Sequence, residues 1–545
     1  MQAKIAFLVC AVMSCIAAAS EPAPGAAEST VPEAAELERL GAVVGEVFIY
    51  NENIFDLEDP REDKQLYRLA NKLHIRTKPQ VIRQQLLFKS GDPYSQRLLD
   101  ESARILRSAR YLYDASVRPV AFKDGRVDIA VRTRDVWTLN PGLSFSRKGG
   151  ENTVGVELEE LNLLGTGTDL ELSHTSGVDR DSTLIEYKDR HVFDSWVRVR
   201  AAYADNSDGS FKALEVEQPF YSLDSRWTAG VYLQDDEHIQ PLYDLGEVVE
   251  EFSSQRRFAS AFWGWSDGLR NGWVRRWRVG ATYDESEFGE IPGSLPPTLV
   301  PENRKLVYPW LSFELLQNDF DRFRNHDQIG RTEDFHLGAR VSGLLGYADH
   351  AFGADRSAMI FVARASHGSG SAERSTLLVS GALEGRLESG ELRNTVLDSS
   401  VRYYVRQSER RLFFTTLEAS VGRALDLETQ ILLGGDNGLR GYPLRYQGGE
   451  ARALLTVEQR YFTDWYPFRL FRVGAAAFFD IGRTWGESPV STPSQGLLKD
   501  VGIGLRFGNS RSGLGNIIHV DLAFPLDGDS SIEDVQILLE TKERF

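Results

Sequence analysis

The sequence predicts a mainly β protein, a C-terminal antiparallel transmembrane β-barrel preceded by one small α+β domain. Three observations carry that reading. From Trp137 to Phe545 apolar residues recur with period two. The residues between them are rich in arginine. Beyond the N-terminal leader, no stretch approaches the roughly 18 consecutive apolar residues a membrane helix needs, so a membrane-embedded chain must cross as strands. The 48 glycines, 29 phenylalanines, 19 tyrosines and 10 tryptophans, against three methionines, suit strands and turns. A soluble sandwich also alternates, but it turns its aromatic and branched residues inward and rarely needs so many arginines opposite them. A barrel meets lipid with one face and places charge in its lumen.

The first element is a leader. Lys4 supplies a positive charge, Ile5 to Ile16 is an apolar run too short to span a bilayer, and Ala17-Ala18-Ala19 offers small residues for cleavage. Residues 1–19 are therefore read as a signal peptide. A lipoprotein signal at Cys15 is disfavoured by the large Met13 beside it. Both cysteines, Cys10 and Cys15, lie in this leader, which excludes disulfides, thiolate metal sites and cysteine nucleophiles from the mature chain. Residues 20–43, mostly Ala, Glu and Pro, have little to bury and read as a disordered lead-in. A net charge of -17 argues against nucleic acid as a partner, because a binder needs a basic stripe to displace counterions from phosphates.

Residues 44–136 form the α+β domain. Val44 to Tyr50 is strand-like, and Asn51 to Arg76 reads as a polar connection. Thr77 and Gln80 make a capping-box pattern around Pro79, opening a helix with Val81, Ile82 and Leu86 on its apolar face. Ser95 is placed to cap a second helix whose Leu98, Ser102, Ile105, Ala109 and Leu112 recur at helical spacing. Two strands, Ala115 to Phe122 and Val127 to Thr133, flank the tight-hairpin signal Asp124-Gly125.

Residues 137–545 form the barrel. In Trp196 to Tyr203 the residues Val197, Val199, Ala201 and Tyr203 alternate with Arg198 and Arg200; Trp277, Val279, Ala281 and Tyr283 alternate likewise with Arg276, Arg278 and Thr282. Asp267-Gly268, Ser369-Gly370 and Gly448-Gly449 are turn signals. Counting segments gives up to twenty strands. The number must be even, and at 9 to 11 residues per strand the length also accommodates 16 with longer loops. In Phe471 to Ile481 the odd positions are apolar, which turns Asp480 and Arg472 inward. By the same phase Ala453, Leu455, Val457 and Tyr461 face lipid, while Arg452, Thr456, Glu458 and Arg460 face the lumen. In the last strand Val535, Ile537, Leu539, Thr541 and the terminal Phe545 share one phase, interrupted by Glu543.

The sequence Gly434-Gly435-Asp436-Asn437-Gly438-Leu439-Arg440-Gly441-Tyr442 is similar to the conserved-loop motif of the BamA/TamA-type outer-membrane assembly and translocation barrels. Phe478-Phe479-Asp480-Ile481-Gly482 resembles that family's Asp-x-Gly strand motif, and Glu458-Gln459-Arg460 the strand motif preceding it. His519 to Leu526 and the terminal Phe545 resemble the closing strands and their insertion signal. The N-terminal unit resembles a single polypeptide-transport-associated (POTRA) domain. The resemblance implies 16 strands, an outer-membrane location in a Gram-negative-type cell and a periplasmic POTRA domain. It implies no cofactor or metal. As partners it implies outer-membrane lipid and an unfolded or extended polypeptide client. Its site residues are Leu439, Arg440, Gly441 and Tyr442 in the loop, Asp480, Gly482, Glu458 and Arg460 in the lumen, and Phe545 at the terminus.

If that loop folds into the lumen, the Arg440 guanidinium needs a carboxylate, with Asp480 first and Glu458 in reserve, and Gly441 allowing the turn beside it. Leu-Arg-Gly-Tyr alone is a common tetrapeptide; its order with Asp480 gives it meaning. Catalysis finds little support. The sequence holds no Gly-x-Ser-x-Gly elbow, no Gly-x-x-x-x-Gly-Lys loop and no His-Glu-x-x-His pattern. His519 and Asp521 share an inward face and could orient each other, as lumen neighbours routinely do. Three readings remain. The first is an assembly or translocation factor whose domain receives a client by strand addition. The others are a passive solute pore and an outer-membrane acyl hydrolase.

Overall fold

The computed structural model describes residues 31–545, apart from 295, 487–489, 491, 493, 514, 515, 529–531 and 543. The leader, the first part of the lead-in and Glu543 therefore lie outside the described residues.

The N-terminal domain packs three helices, α1 (Ala34–Arg39), α3 (Pro79–Gln84) and α4 (Gln96–Arg107), around a three-stranded sheet, while α2 (Gln65–Leu73) lies in a separate cluster with Phe55, Trp137 and Leu470. Its strands are β1 (Val43–Glu52), β2 (Leu112–Lys123) and β3 (Arg126–Asp135), in spatial order β1-β3-β2. β1 runs parallel to β3, and β2 returns antiparallel to it through Asp124-Gly125, both at positive φ. Alternation along β3 points Val127, Ile129 and Val131 at the helices, where Val44, Ile82, Leu99, Leu106 and Leu112 close the core.

Four details depart from the sequence reading. α1 occupies part of the segment read as lead-in, because Leu37 inserts fully into this core. α2 lies within the stretch read as a polar connection. The Thr77 hydroxyl and N–H donate to Asp135 at 2.9 and 2.8 Å, so Lys78 rather than Thr77 precedes α3 and no side chain caps it. Ser95 holds the N-cap position of α4 without a side-chain cap bond, and the buried face of α4 runs through Leu99, Ser102, Ala103 and Leu106, one position beyond the stripe read from Leu98 and Ile105.

The barrel follows. Its strands are β4 (Leu139–Lys148), β5 (Glu151–Glu160), β6 (Asp169–Ser176), β7 (Asp181–Asp189), β8 (Arg198–Asn206), β9 (Gly209–Gln218) and β10 (Trp227–Asp244). Next come β11 (Glu247–Arg270), β12 (Trp273–Gly289) and β13 (Arg304–Gln317). A hairpin of β14 (Phe320–Arg324) and β15 (Thr332–His336) stands apart from the barrel sheet. The barrel resumes with β16 (Arg340–Ala348), β17 (Ala358–Gly370), β18 (Ser375–Glu388), β19 (Glu391–Arg406) and β20 (Arg411–Arg423). A second small ladder, β21 (Ile431–Leu433) with β22 (Gln447–Gly449), precedes β23 (Ala451–Phe462) and β24 (Phe471–Trp485). Last are β25 (Leu498–Asn509), β26 (Ile517–Pro525) and β27 (Gln536–Lys542).

Twenty of these strands close into one antiparallel barrel, with β27 returning to β4. Twenty rather than the family's 16 is therefore the number. No helix among the described residues is long and apolar enough to cross a membrane. Tyr203, Trp263, Trp277, Val279, Leu455 and Tyr461 project outward, while Arg276, Thr456, Glu458 and Arg460 are buried inward. Asp267-Gly268 is not a turn: it forms a bulge in β11, where the register slips between Ser266 and Leu269, and Asn271-Gly272 makes the turn. Gly448-Gly449 likewise lies in β22.

The up-and-down order gives the barrel two ends. β4 leaves the N-terminal domain at Leu139, so turns after odd-numbered β5, β7 and β9 lie at the domain end, together with hairpin β14–β15 and the C terminus. The loop between β20 and β23 enters from the far end.

Candidate functional site

The loop from 424 to 450 folds into the lumen because its own backbone is tied down. Asn437 Oδ1 accepts from Gly434 N–H at 2.7 Å, and its Nδ2 donates to Leu432 O at 2.8 Å. Gly435 N–H donates to Pro443 O, and Leu439 N–H to Gly434 O. Leu439, Tyr442 and Tyr446 pack with Leu433, Leu454 and Leu498 in a closed apolar cluster. Gly438, at φ +118°, supplies the turn. Gly441 does not: it avoids the left-handed region, and its role is close approach, since a Cβ there would stand 2.7 Å from Asp500 Cβ.

This anchoring aims Arg440 into the wall. Its Nε and Nη2 donate to the two oxygens of Asp480 at 2.7 and 2.9 Å, a bidentate pair. Nη1 donates to Glu458 Oε1 at 2.9 Å, so the reserve partner is used as well. The guanidinium stacks 3.4 Å from the centre of the Phe478 ring. Thr456 Oγ1 donates to Asp480 at 2.7 Å, and Asp500 accepts Gly441 N–H at 3.0 Å. Lys499 N–H donates to the Tyr442 hydroxyl at 3.1 Å. Gly482 keeps space for Leu433, whose Cδ2 a Cβ would meet at 3.0 Å. Arg440, Glu458 and Asp480 are buried, so each charge depends on its partners rather than on water.

The network continues toward the domain end. Arg460 Nε donates to Glu458 at 2.9 Å, and its Nη1 donates to His326 O at 2.8 Å. His326 and Asp327 belong to the tip of hairpin β14–β15, where the N–H groups of His326, Asp327 and Gln328 all donate to Glu333. Asp327 also receives the Tyr404 hydroxyl at 2.9 Å, and its carbonyl accepts the N–H of Phe545 at 2.7 Å. The other side of the hairpin meets the N-terminal domain. Arg107 donates twice to Asp334, at 2.7 and 2.6 Å, Thr332 donates to Asp114, and Tyr113 donates to Gly330 O. Hydrogen bonds and ion pairs thus run unbroken from α4, through the hairpin, Arg460 and Glu458, to the loop arginine.

Phe545 departs from its expected face. β27 ends at Lys542, and Phe545 packs inward against Phe462, with the Arg460 guanidinium 5.1 Å from its ring. His519 and Asp521 do not bond each other. Asp521 pairs with Arg506, and His519 Nε2 lies 2.8 Å from Arg544 O. With Glu540 they form a group of metal-ligand type. Its carboxylates are already matched by Arg506, Lys148 and Lys542, so the group reads as an ion-pair cluster.

Sequence reasoning missed Asp500, Arg506, Asp521 as Arg506's partner, and the whole hairpin. Asp500 sits opposite Asp480 on the neighbouring strand, and an inward carboxylate at the same level as a known one was the available signal.

A curated Treponema pallidum protein named as an outer membrane protein assembly factor is 32% identical over 131 residues, a match spanning 23% of this chain and 16% of that protein. The loop motif and its lumen pair resemble those of the BamA/TamA-type barrels. No family model matches. Among solved structures, BamA of Haemophilus ducreyi lacking POTRA domains 1–3 is 12% identical at TM-score 0.39, covering 91% of this chain and 84% of that one. CdiB of Acinetobacter baumannii is 13% identical at 0.45, with 92% and 74% covered. The FrpB iron transporter of Neisseria meningitidis is 9% identical at 0.41, with 95% and 97% covered. Likeness at that level assigns no family.

Proposed function

We propose that the protein assembles or translocates polypeptides at the outer membrane. Residues 44–136 act as a periplasmic POTRA domain that receives the client, and residues 137–545 as the barrel that inserts or exports it. One observation carries the reading. Where the barrel closes, the ladder between β27 and β4 consists, among the described residues, of the single pair Leu539 and Arg147. Unpaired strand edges are templates for an incoming strand. Lys148 with Glu540 holds the far end of this seam, and Trp137, whose N–H donates to Arg511 O, holds the domain end.

The receiving edge is β1 beyond Val44, its start being covered where Val44 N–H donates to Asp92 O and Gly91 N–H to Val44 O. The opposite edge, β2, carries Pro119, which has no N–H to donate, and its start is covered where Arg331 and Arg107 donate to Leu112 O and Ala115 O. The anchored loop and Phe545 fit the roles of motif loop and insertion signal. Ion pairs rather than a nucleophile fill the lumen, which favours transport over hydrolysis.

A photo-crosslinker at exposed Tyr50 of β1, in intact cells, should trap an extended polypeptide. A passive pore is the second reading, favoured by a polar lumen cavity of about 650 Å³ lined by Arg278, Glu314, Arg340, Arg364 and Arg452. Solute conductance without any trapped polypeptide would replace the first reading with the second.

A further inference from the structure

α2 carries leucines that the protein leaves uncovered. Leu66, Leu69 and Leu73 recur at i, i+3 and i+7 and are 68%, 49% and 62% exposed, and Ile75 just beyond the helix is 54% exposed. The helix is held by its other side. Tyr67 stacks on Phe55 with ring centres 4.3 Å apart, and its hydroxyl donates to Phe468 O at 2.6 Å. Phe468 is the tip of the β23–β24 turn, at the domain end of the barrel. Past the helix, Lys78 N–H donates to Gly165 O in the β5–β6 turn, and Asn162 donates to Thr77 at 2.8 Å. α2 and its tail therefore run along the rim from one turn to the other, below the strands that flank the seam.

The rim itself is greasy at the same level. Phe468, Leu164 and Phe193, each at positive φ at the tip of a domain-end turn, are 74%, 61% and 99% exposed, and Trp465 stands beside Phe468. Residues 64–78 contain Lys64, Arg68, Lys72, Arg76 and Lys78 and no carboxylate. Leucines on one stripe, cations on the next and aromatic tips alongside are the composition of an element lying in a bilayer interface, its apolar stripe in the acyl boundary and its cations at the phosphates.

We propose that α2 is an interfacial anchor, docked on the lipid of the leaflet at the domain end of the barrel. The occupant follows from continuity: the stripe and the turn tips extend the barrel's lipid-facing belt around the rim, and the cations other than Arg68, which pairs with Asp63, match phosphate headgroups. The inference rests on the barrel spanning a bilayer and not on what it transports.

The test places a spin label at Leu69→Cys, and separately at Arg68→Cys on the polar side of the same helix, in the full chain with Cys10→Ser and Cys15→Ser. Each protein is reconstituted in a nanodisc of phosphatidylethanolamine and phosphatidylglycerol, without client. Collision with oxygen should exceed collision with a water-soluble nickel complex at 69, and the order should reverse at 68. Leu66→Cys and Leu73→Cys should follow 69, which guards against one label disturbing the helix. A label at 69 that stays aqueous overturns the proposal, and protection of that label only in intact cells would assign the stripe to a periplasmic protein instead.

Discussion

Two junctions of the same sheet differ more than any other pair of neighbours in the barrel. β10 and β11 are paired at eighteen positions, from Trp227 with Trp265 to Asp244 with Glu247, with one slip. Among the described residues, β27 and β4 are paired at one. β27 is seven residues long and Phe545 is packed inside, so among the described residues the lower part of β4 meets no continuing ladder. A ladder hydrogen bond contributes only about 1 kcal/mol net, but a long run of them makes a junction that opens as a whole or not at all. The barrel is therefore one stiff wall with one weak line, and the weak line lies beside its most heavily bonded interior, the strands β23 to β26 that hold Arg440, Arg460 and Arg506.

The largest expected effect comes from removing the difference. A disulfide between Arg147→Cys and Leu539→Cys should abolish client assembly or export, with activity returning on reduction. A matching staple between Val231→Cys and Ala261→Cys, opposite each other in β10 and β11, should leave activity unchanged. Equal effects from both staples would mean that the seam has no special part.

Next in size is the loop pair. Arg440→Ala and Asp480→Ala each strand a buried charge, at a cost of about 3 kcal/mol, and each should impair activity while the barrel still forms in a heat-modifiability gel. The double change should be little worse than either single one, because the two residues share one interaction. Additive losses would show that the contact is not what each residue contributes.

Deleting Phe545 removes a buried ring and the N–H donated to Asp327, with an expected loss of about 3 kcal/mol and a lower yield of folded barrel. Unchanged yield would separate the terminus from seam closure.

The smallest effect concerns the hairpin. Burial first, and the Asp327 charge second, push Glu333 up to about 7 from the ordinary 4.5, against three backbone N–H bonds that pull it down. A carboxyl raised in the folded state binds its proton more tightly there than when unfolded. Its contribution to hairpin stability is fully present below pH 4.5 and is lost as pH rises through about 7. Hydrogen exchange corrected for its own pH dependence should show residues 325–333 loosening over that window, and Glu333→Gln should flatten the response.

Much of this was legible in sequence where a period governs it. Alternation alone put Asp480, Glu458 and Arg460 inside and Leu455 and Tyr461 outside, because in a strand two residues decide every other one. The Arg440 partner could be named because a desolvated guanidinium needs a carboxylate. Contacts without a local period were not legible. Arg460 meets a carbonyl in a hairpin 134 residues earlier, and no spacing announces that. Thr77 and Asp267-Gly268 carried sound local signals that tertiary demand overrode, Asp135 taking the hydroxyl in one case and a bulge absorbing the turn residues in the other. Phe545 kept its phase on paper, but phase ends where the strand does.

The burial of Phe545 also sets an order of events. Phe545 is 4% exposed, its N–H taken by Asp327 and its ring enclosed by Phe462 and Arg460. Once the barrel has closed, no outside receptor can grip it. Whatever binds this ring must do so while β27 is still free and let go before Phe462 and Arg460 enclose it, so the contact can be made only ahead of closure.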